Sequence, residues 1–82
     1  MALSEKEVLE GLAEIVAEET GIDVAEVTGP KSFTDDLDID SLSMMTIVTL
    51  AEEKFDVRIP DEDVKDLITV ADAVAFMTKA QS

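Results

Sequence analysis

Thr34-Asp35-Asp36-Leu37-Asp38-Ile39-Asp40-Ser41-Leu42 passes from an acidic run into a helical pattern, and its reading settles what lies on either side. The apolar spacing that follows predicts a helix from about Ser41 to Phe55, with Asp38 or Asp40 near its N-cap. Ser41 therefore sits at a helix start in a chain with no histidine and no cysteine. Without a neighbouring base such a hydroxyl is a poor nucleophile. It either fills or caps the first turn, as most serines there do, or is a place where another enzyme attaches a group.

This second helix carries more apolar side chains than one buried stripe needs. At about 100° per residue, Met44, Ile47, Val48, Ala51 and Phe55 gather on one side, which is assigned to the core. Leu42, Met45 and Thr49 fall opposite, beside Glu52 and Glu53. Apolar residues rimmed by carboxylates read as a small recognition surface for a partner with an apolar pocket and a basic rim.

Working outward, Ser4-Glu5-Lys6-Glu7 reads as a capping box, Val8, Leu12, Ile15 and Val16 as the buried stripe of helix one, and Gly21 as its C-cap. From Ile22 to Asp40, Gly29-Pro30 and scattered Ser, Thr and Asp predict a long loop anchored by Val24, Val27, Phe33 and Leu37. Val57-Arg58-Ile59-Pro60 reads as an extended link, and Asp61 to Leu67 as a short third helix with Val64 and Leu67 inward. Thr69-Val70-Ala71-Asp72 caps a last helix that buries Val70, Ala73, Val74 and Met77. The expected fold is all-α, one domain over residues 1–82. It is a small four-helix bundle of three longer helices and a short third, with a long loop between helices one and two.

Composition excludes much of the functional range. An 82-residue chain is too small to wrap a deep catalytic cleft, and without cysteine or histidine it has no thiolate nucleophile, no serine-histidine triad and no usual zinc site. An enzymatic role is not expected. Twenty acidic against six basic residues give a net charge of -14, which repels nucleic acid and anionic membrane, attracts basic protein surfaces and favours a monomer. Hydrophobic residues at 46% leave enough apolar material to fold. No secretory pattern or membrane span is apparent, so the expected location is the cytoplasm. The spacing Asp36-x-Asp38-x-Asp40 mimics the start of a calcium loop, but Ser41 stands where that loop needs glycine and Ile47 where it needs glutamate.

Phe33-Thr34-Asp35-Asp36-Leu37-Asp38-Ile39-Asp40-Ser41-Leu42 resembles the attachment-site signature of the acyl carrier proteins. Glu52-Glu53-Lys54-Phe55 followed by Ile59-Pro60-Asp61 is similar to the next landmark of that family. The resemblance covers nearly the whole chain and is nearest to the free-standing carriers of type II fatty acid synthesis, of an actinobacterial kind. It implies that Ser41 receives 4'-phosphopantetheine from coenzyme A through a separate, magnesium-dependent phosphopantetheinyl transferase, and that acyl groups ride as thioesters on the arm's thiol. It further implies partners with basic docking surfaces: transacylase, ketosynthase, reductases and dehydratase. The docking face would comprise Asp36, Asp38, Asp40, Leu42, Met45, Glu52, Glu53 and Asp56. The acyl chain would be sheltered among Met44, Val48, Ile59, Val64 and Leu67.

Between Asp35 and Asp63 there are ten acidic residues and two basic ones, Lys54 and Arg58, a field suited to fast, weak, guided encounters. The chain departs from the family where acidic residues often stand two and five positions after the modified serine, having Ser43 and Thr46 instead. Two other readings remain at this stage: a carrier for polyketide, mycolate-type or other specialised acyl chains, and an unmodified acidic helical adaptor for a basic partner.

Overall fold

The computed structural model describes residues 4–80. Among them are four α-helices, α1 (Glu5–Thr20), α2 (Ser41–Phe55), α3 (Asp61–Val64) and α4 (Val70–Ala80), and one 3-10 turn at Val24–Glu26. The all-α bundle with a long first connection is the architecture expected from the apolar spacing. Helix α1 starts at a full capping box: the Glu7 N–H donates to Ser4 Oγ and the Ser4 N–H to Glu7 Oε1, each at 3.3 Å. It ends at Gly21, whose left-handed φ of 79° favours a residue without a Cβ. Thr69 and Asp72 cap α4 reciprocally, each N–H donating to the other side chain at 3.1 Å.

Helix α1 is the central element, packing against both α2 and α4. Val8, Leu12, Val16, Ile47, Val70 and Met77 are almost wholly buried between these three. Helix α3 packs extensively against no other helix, and that asymmetry leaves one side of α2 without a firmly seated neighbour.

The long connection is ordered by its own hydrogen bonds. Phe33 N donates to Ile68 O and Val70 N to Lys31 O, at 3.0 and 2.9 Å, so residues 31–33 are zipped to the link before α4. The Ser32 N–H donates to Asp36 Oδ2 at 2.7 Å, closing the turn that carries the acidic run. Val27, Phe33 and Leu37 are buried as anticipated, but Val24 is 47% exposed. Val24 lies in the 3-10 turn, held on Asp23 by a bond from the Ala25 N–H to the Asp23 carboxylate, and this turn points Val24 to solvent. The missing anchor is Ile39, 3% exposed, whose N–H donates to Phe33 O at 2.9 Å and ties it to the buried Phe33.

Helix α3 ends at Val64, not Leu67. Its four residues carry three acidic side chains, and the next turn is closed by the Asp66 and Leu67 N–H groups donating to Asp63 and Val64 carbonyls. Leu67 is nonetheless buried, reaching the core from the link, while Val64 is only partly buried.

Candidate functional site

Ser41 is the first residue of α2, and the cap of that helix is Asp40. Asp40 Oδ1 accepts the Ser43 N–H at 2.8 Å. That bond, helped by the Ser43 hydroxyl, holds the Asp40 carboxyl below the usual carboxylate range. Capping is thus done by the residue before Ser41. The Ser41 side chain is exposed, and its hydroxyl enters no hydrogen bond with the described residues. Ser43, which departs from the family pattern, is committed to Asp40, and Thr46 returns its hydroxyl to Leu42 O at 3.2 Å.

A groove of about 670 Å³ opens beside Ser41, within the range of small-molecule sites. Met44, Val48, Ile59, Val64 and Leu67 all line it, as do Phe33 at its base and Ile68 at its rim. It lies over the side of α2 that α1 leaves uncovered, closed by the link after α2, by α3 and by the link before α4. Beneath it a void of about 10 Å³, room for one water at most, is bounded by Phe33, Met44, Val48, Ile59 and Leu67.

Helix α2 presents three stripes where the apolar count indicated two. Ile47, Ala51 and Phe55 are buried in the bundle. Ser41, Met45, Val48 and Glu52, at spacings of four, three and four, form an edge along the groove. Leu42, Thr46 and Glu53 face solvent. Met44, placed in the core by its helical angle, is instead a partly buried wall of the groove. Met45 is 61% exposed as expected, yet it also lines the groove.

The acidic residues divide in the same way. Asp40 and Glu52 line the groove; Asp36, Asp38, Glu53 and Asp56 lie exposed outside it. Asp38 and Asp56 adopt left-handed φ of 54° and 53°. Glu52 is only partly exposed, because its Oε2 accepts the Ile59 N–H at 2.7 Å.

Comparison with known proteins follows the same lines. The family described as "Phosphopantetheine attachment site" matches residues 10–77. An acyl carrier protein of Kineococcus radiotolerans is 72% identical over 78 residues, covering 95% of this chain and 96% of that one. One from Beutenbergia cavernae is 66% identical over the full length of both. This chain belongs to the acyl carrier proteins. The fold agrees: the solved structure of an acyl carrier protein from Enterococcus faecalis, described for its high thermal stability, matches with a TM-score of 0.80. It is 33% identical, over 95% of this chain and 99% of that one.

As an acyl carrier protein the chain belongs to a family of carriers whose cofactor is covalent phosphopantetheine. The residues present fit that group. A partnerless serine hydroxyl at a helix start meets a phosphoryl group without disturbing the cap, and the adjoining groove is apolar enough for an acyl chain. Among the described residues no helix is long and apolar enough to cross a membrane. Ile68, 60% exposed and on the groove rim, was not singled out from sequence. It follows Leu67 in the link after α3, where Leu67 turns into the core and Ile68 turns out.

Proposed function

We propose that Ser41 carries the 4'-phosphopantetheine arm and that the chain ferries acyl groups among the enzymes of type II fatty acid synthesis. The observation that carries this reading is the exposed, partnerless Ser41 hydroxyl at the mouth of an apolar groove. Ser41 Oγ would bond to the phosphorus of coenzyme A's pantetheine phosphate, with the adenosine bisphosphate leaving, in a transferase that supplies the base this chain lacks. When bound, the arm supplies the thiol on which acyl groups ride as thioesters.

The chain's own residues do the rest. Met44, Val48, Ile59, Val64 and Leu67 shelter the apolar cargo from water, the methionine adapting to its length. Leu42 and Met45 give partners an apolar centre, and Asp36, Asp38, Asp40, Glu53 and Asp56 steer basic surfaces toward it. The chain performs no chemistry on its cargo. The net charge of -14 favours a carrier that acts as a monomer.

Intact mass after incubation with coenzyme A, magnesium and a phosphopantetheinyl transferase tests the attachment. One phosphopantetheine should add to the unaltered protein and none to Ser41→Ala. A gain that survives the substitution would move the site, with Ser43 the nearest rival.

A further inference from the structure

Glu52 and Glu53 are adjacent acids on α2, but the structure gives them different surroundings. Glu53 is exposed and makes no ion pair within the described residues. Glu52 lines the groove and accepts the Ile59 N–H at 2.7 Å across seven residues of chain. Ile59 is itself 5% exposed and forms the groove wall opposite Ser41's helix.

The segment carrying Ile59 has few other attachments. Val57 N donates to Glu52 O at 3.2 Å, Pro60 has no N–H to give, and the four-residue α3 that follows packs extensively on no helix. Ile59 is thus held by its own burial and by one charge-assisted bond in a partly water-excluded place, where such bonds are strongest.

We propose that Glu52 is a positioning residue that latches Ile59 onto the groove wall and so sets how well the cargo is covered. The inference rests on the proposed reading of the groove as the acyl shelter. It separates Glu52 from the docking charges: Glu53 acts at long range through its charge, Glu52 at short range through a hydrogen bond.

Four variants distinguish these roles. Glu52→Ala removes the acceptor. Glu52→Asp keeps the charge but is one methylene too short to reach. Glu52→Gln keeps an acceptor oxygen without the charge. Glu53→Gln serves as the charge control. Amide hydrogen exchange of the unloaded protein reads the latch directly. Ile59 should exchange about tenfold faster or more in Glu52→Ala and Glu52→Asp, with α1 amides unchanged. In Glu53→Gln it should stay close to the unaltered protein, and in Glu52→Gln, whose neutral acceptor makes a weaker bond, it should fall between the unaltered protein and Glu52→Ala.

Unchanged Ile59 exchange in Glu52→Ala overturns the proposal. So does exchange in Glu52→Gln as fast as in Glu52→Ala, which would make charge alone the agent, or an equal rise in α1, which would make the loss global. The octanoyl-loaded forms read the consequence: hydroxylamine should cleave the thioester faster in Glu52→Ala and Glu52→Asp than in the unaltered protein. Equal rates that are slower than for free octanoyl-pantetheine overturn the proposal's claim on cover. Equal rates matching free octanoyl-pantetheine overturn instead the assignment of the groove as shelter, while the Ile59 exchange result still decides the latch.

Discussion

Gly11→Ala sets two effects of similar size against each other, and the structure decides between them. Gly11 lies in the middle of α1, where alanine is favoured over glycine by about 0.8–1 kcal/mol. It is also buried where α1 meets α2. A Cβ there would stand 2.7 Å from Phe55 Cζ, 3.0 Å from Phe55 Cε1 and 2.9 Å from Lys54 Cε. Lys54 yields at little cost, since its exposed end makes only a 3.9 Å pair with Glu14. The Phe55 ring is 6% exposed and has nowhere to go without disturbing the core.

Overpacking of this kind costs about 1–3 kcal/mol, so the propensity gain is offset and the net loss is about 0–2 kcal/mol. For a chain of this size a loss near 1 kcal/mol lowers Tm by about 4–8 °C. Urea and thermal unfolding followed by circular dichroism measure it. The decisive companion is Gly11→Ala in a Phe55→Leu background: with the ring tip gone, alanine should become neutral or stabilising, a coupling between the two sites. A Gly11→Ala variant about 1 kcal/mol more stable than the parent would refute the close approach of α1 and α2.

Because contact with Ser43 lowers the Asp40 pKa, the ionised cap stabilises the fold above the ordinary carboxylate range, and that contribution is lost as pH falls below about 4. The urea midpoint of the unaltered protein should therefore exceed that of Asp40→Asn at pH 6 and converge on it near pH 3; a gap that widens in acid contradicts the assignment. At Asp38, φ of 54° makes Asp38→Gly neutral or stabilising, whereas Asp38→Val should cost about 1–2 kcal/mol in thermal unfolding. Glu53→Lys should slow association with a ketosynthase at low salt and flatten the salt dependence of the rate without shifting Tm appreciably. Unchanged stopped-flow rates would remove that face from docking.

Most of the fold was legible because α1, α2 and α4 each bury one face, and caps at Ser4, Gly21, Asp40 and Thr69 mark their ends with local chemistry. Local rules failed where pairing is not local. Val24 resembles Val27 in sequence, but the 3-10 turn on Asp23 turns it outward, and Ile39 takes up the core position. The third helix stopped early because Leu67 reaches the core through a link zipped to residues 31–33.

By itself the sequence determined that Ser41 stands at a helix start among carboxylates, in a chain with no base or thiol to give it chemistry of its own. Those are matters of residue identity and spacing along one helix, which no packing can alter. The tertiary structure alone decided that Asp40 frees Ser41 from capping and that α1 covers one side of α2 while α3 leaves the next side open. It also decided that five apolar residues from α2, α3 and the links meet there in one groove. The split between Glu52 and Glu53 has the same origin. Nothing in two adjacent glutamates tells which will meet the amide of Ile59, because that contact exists only once the link folds back across α2.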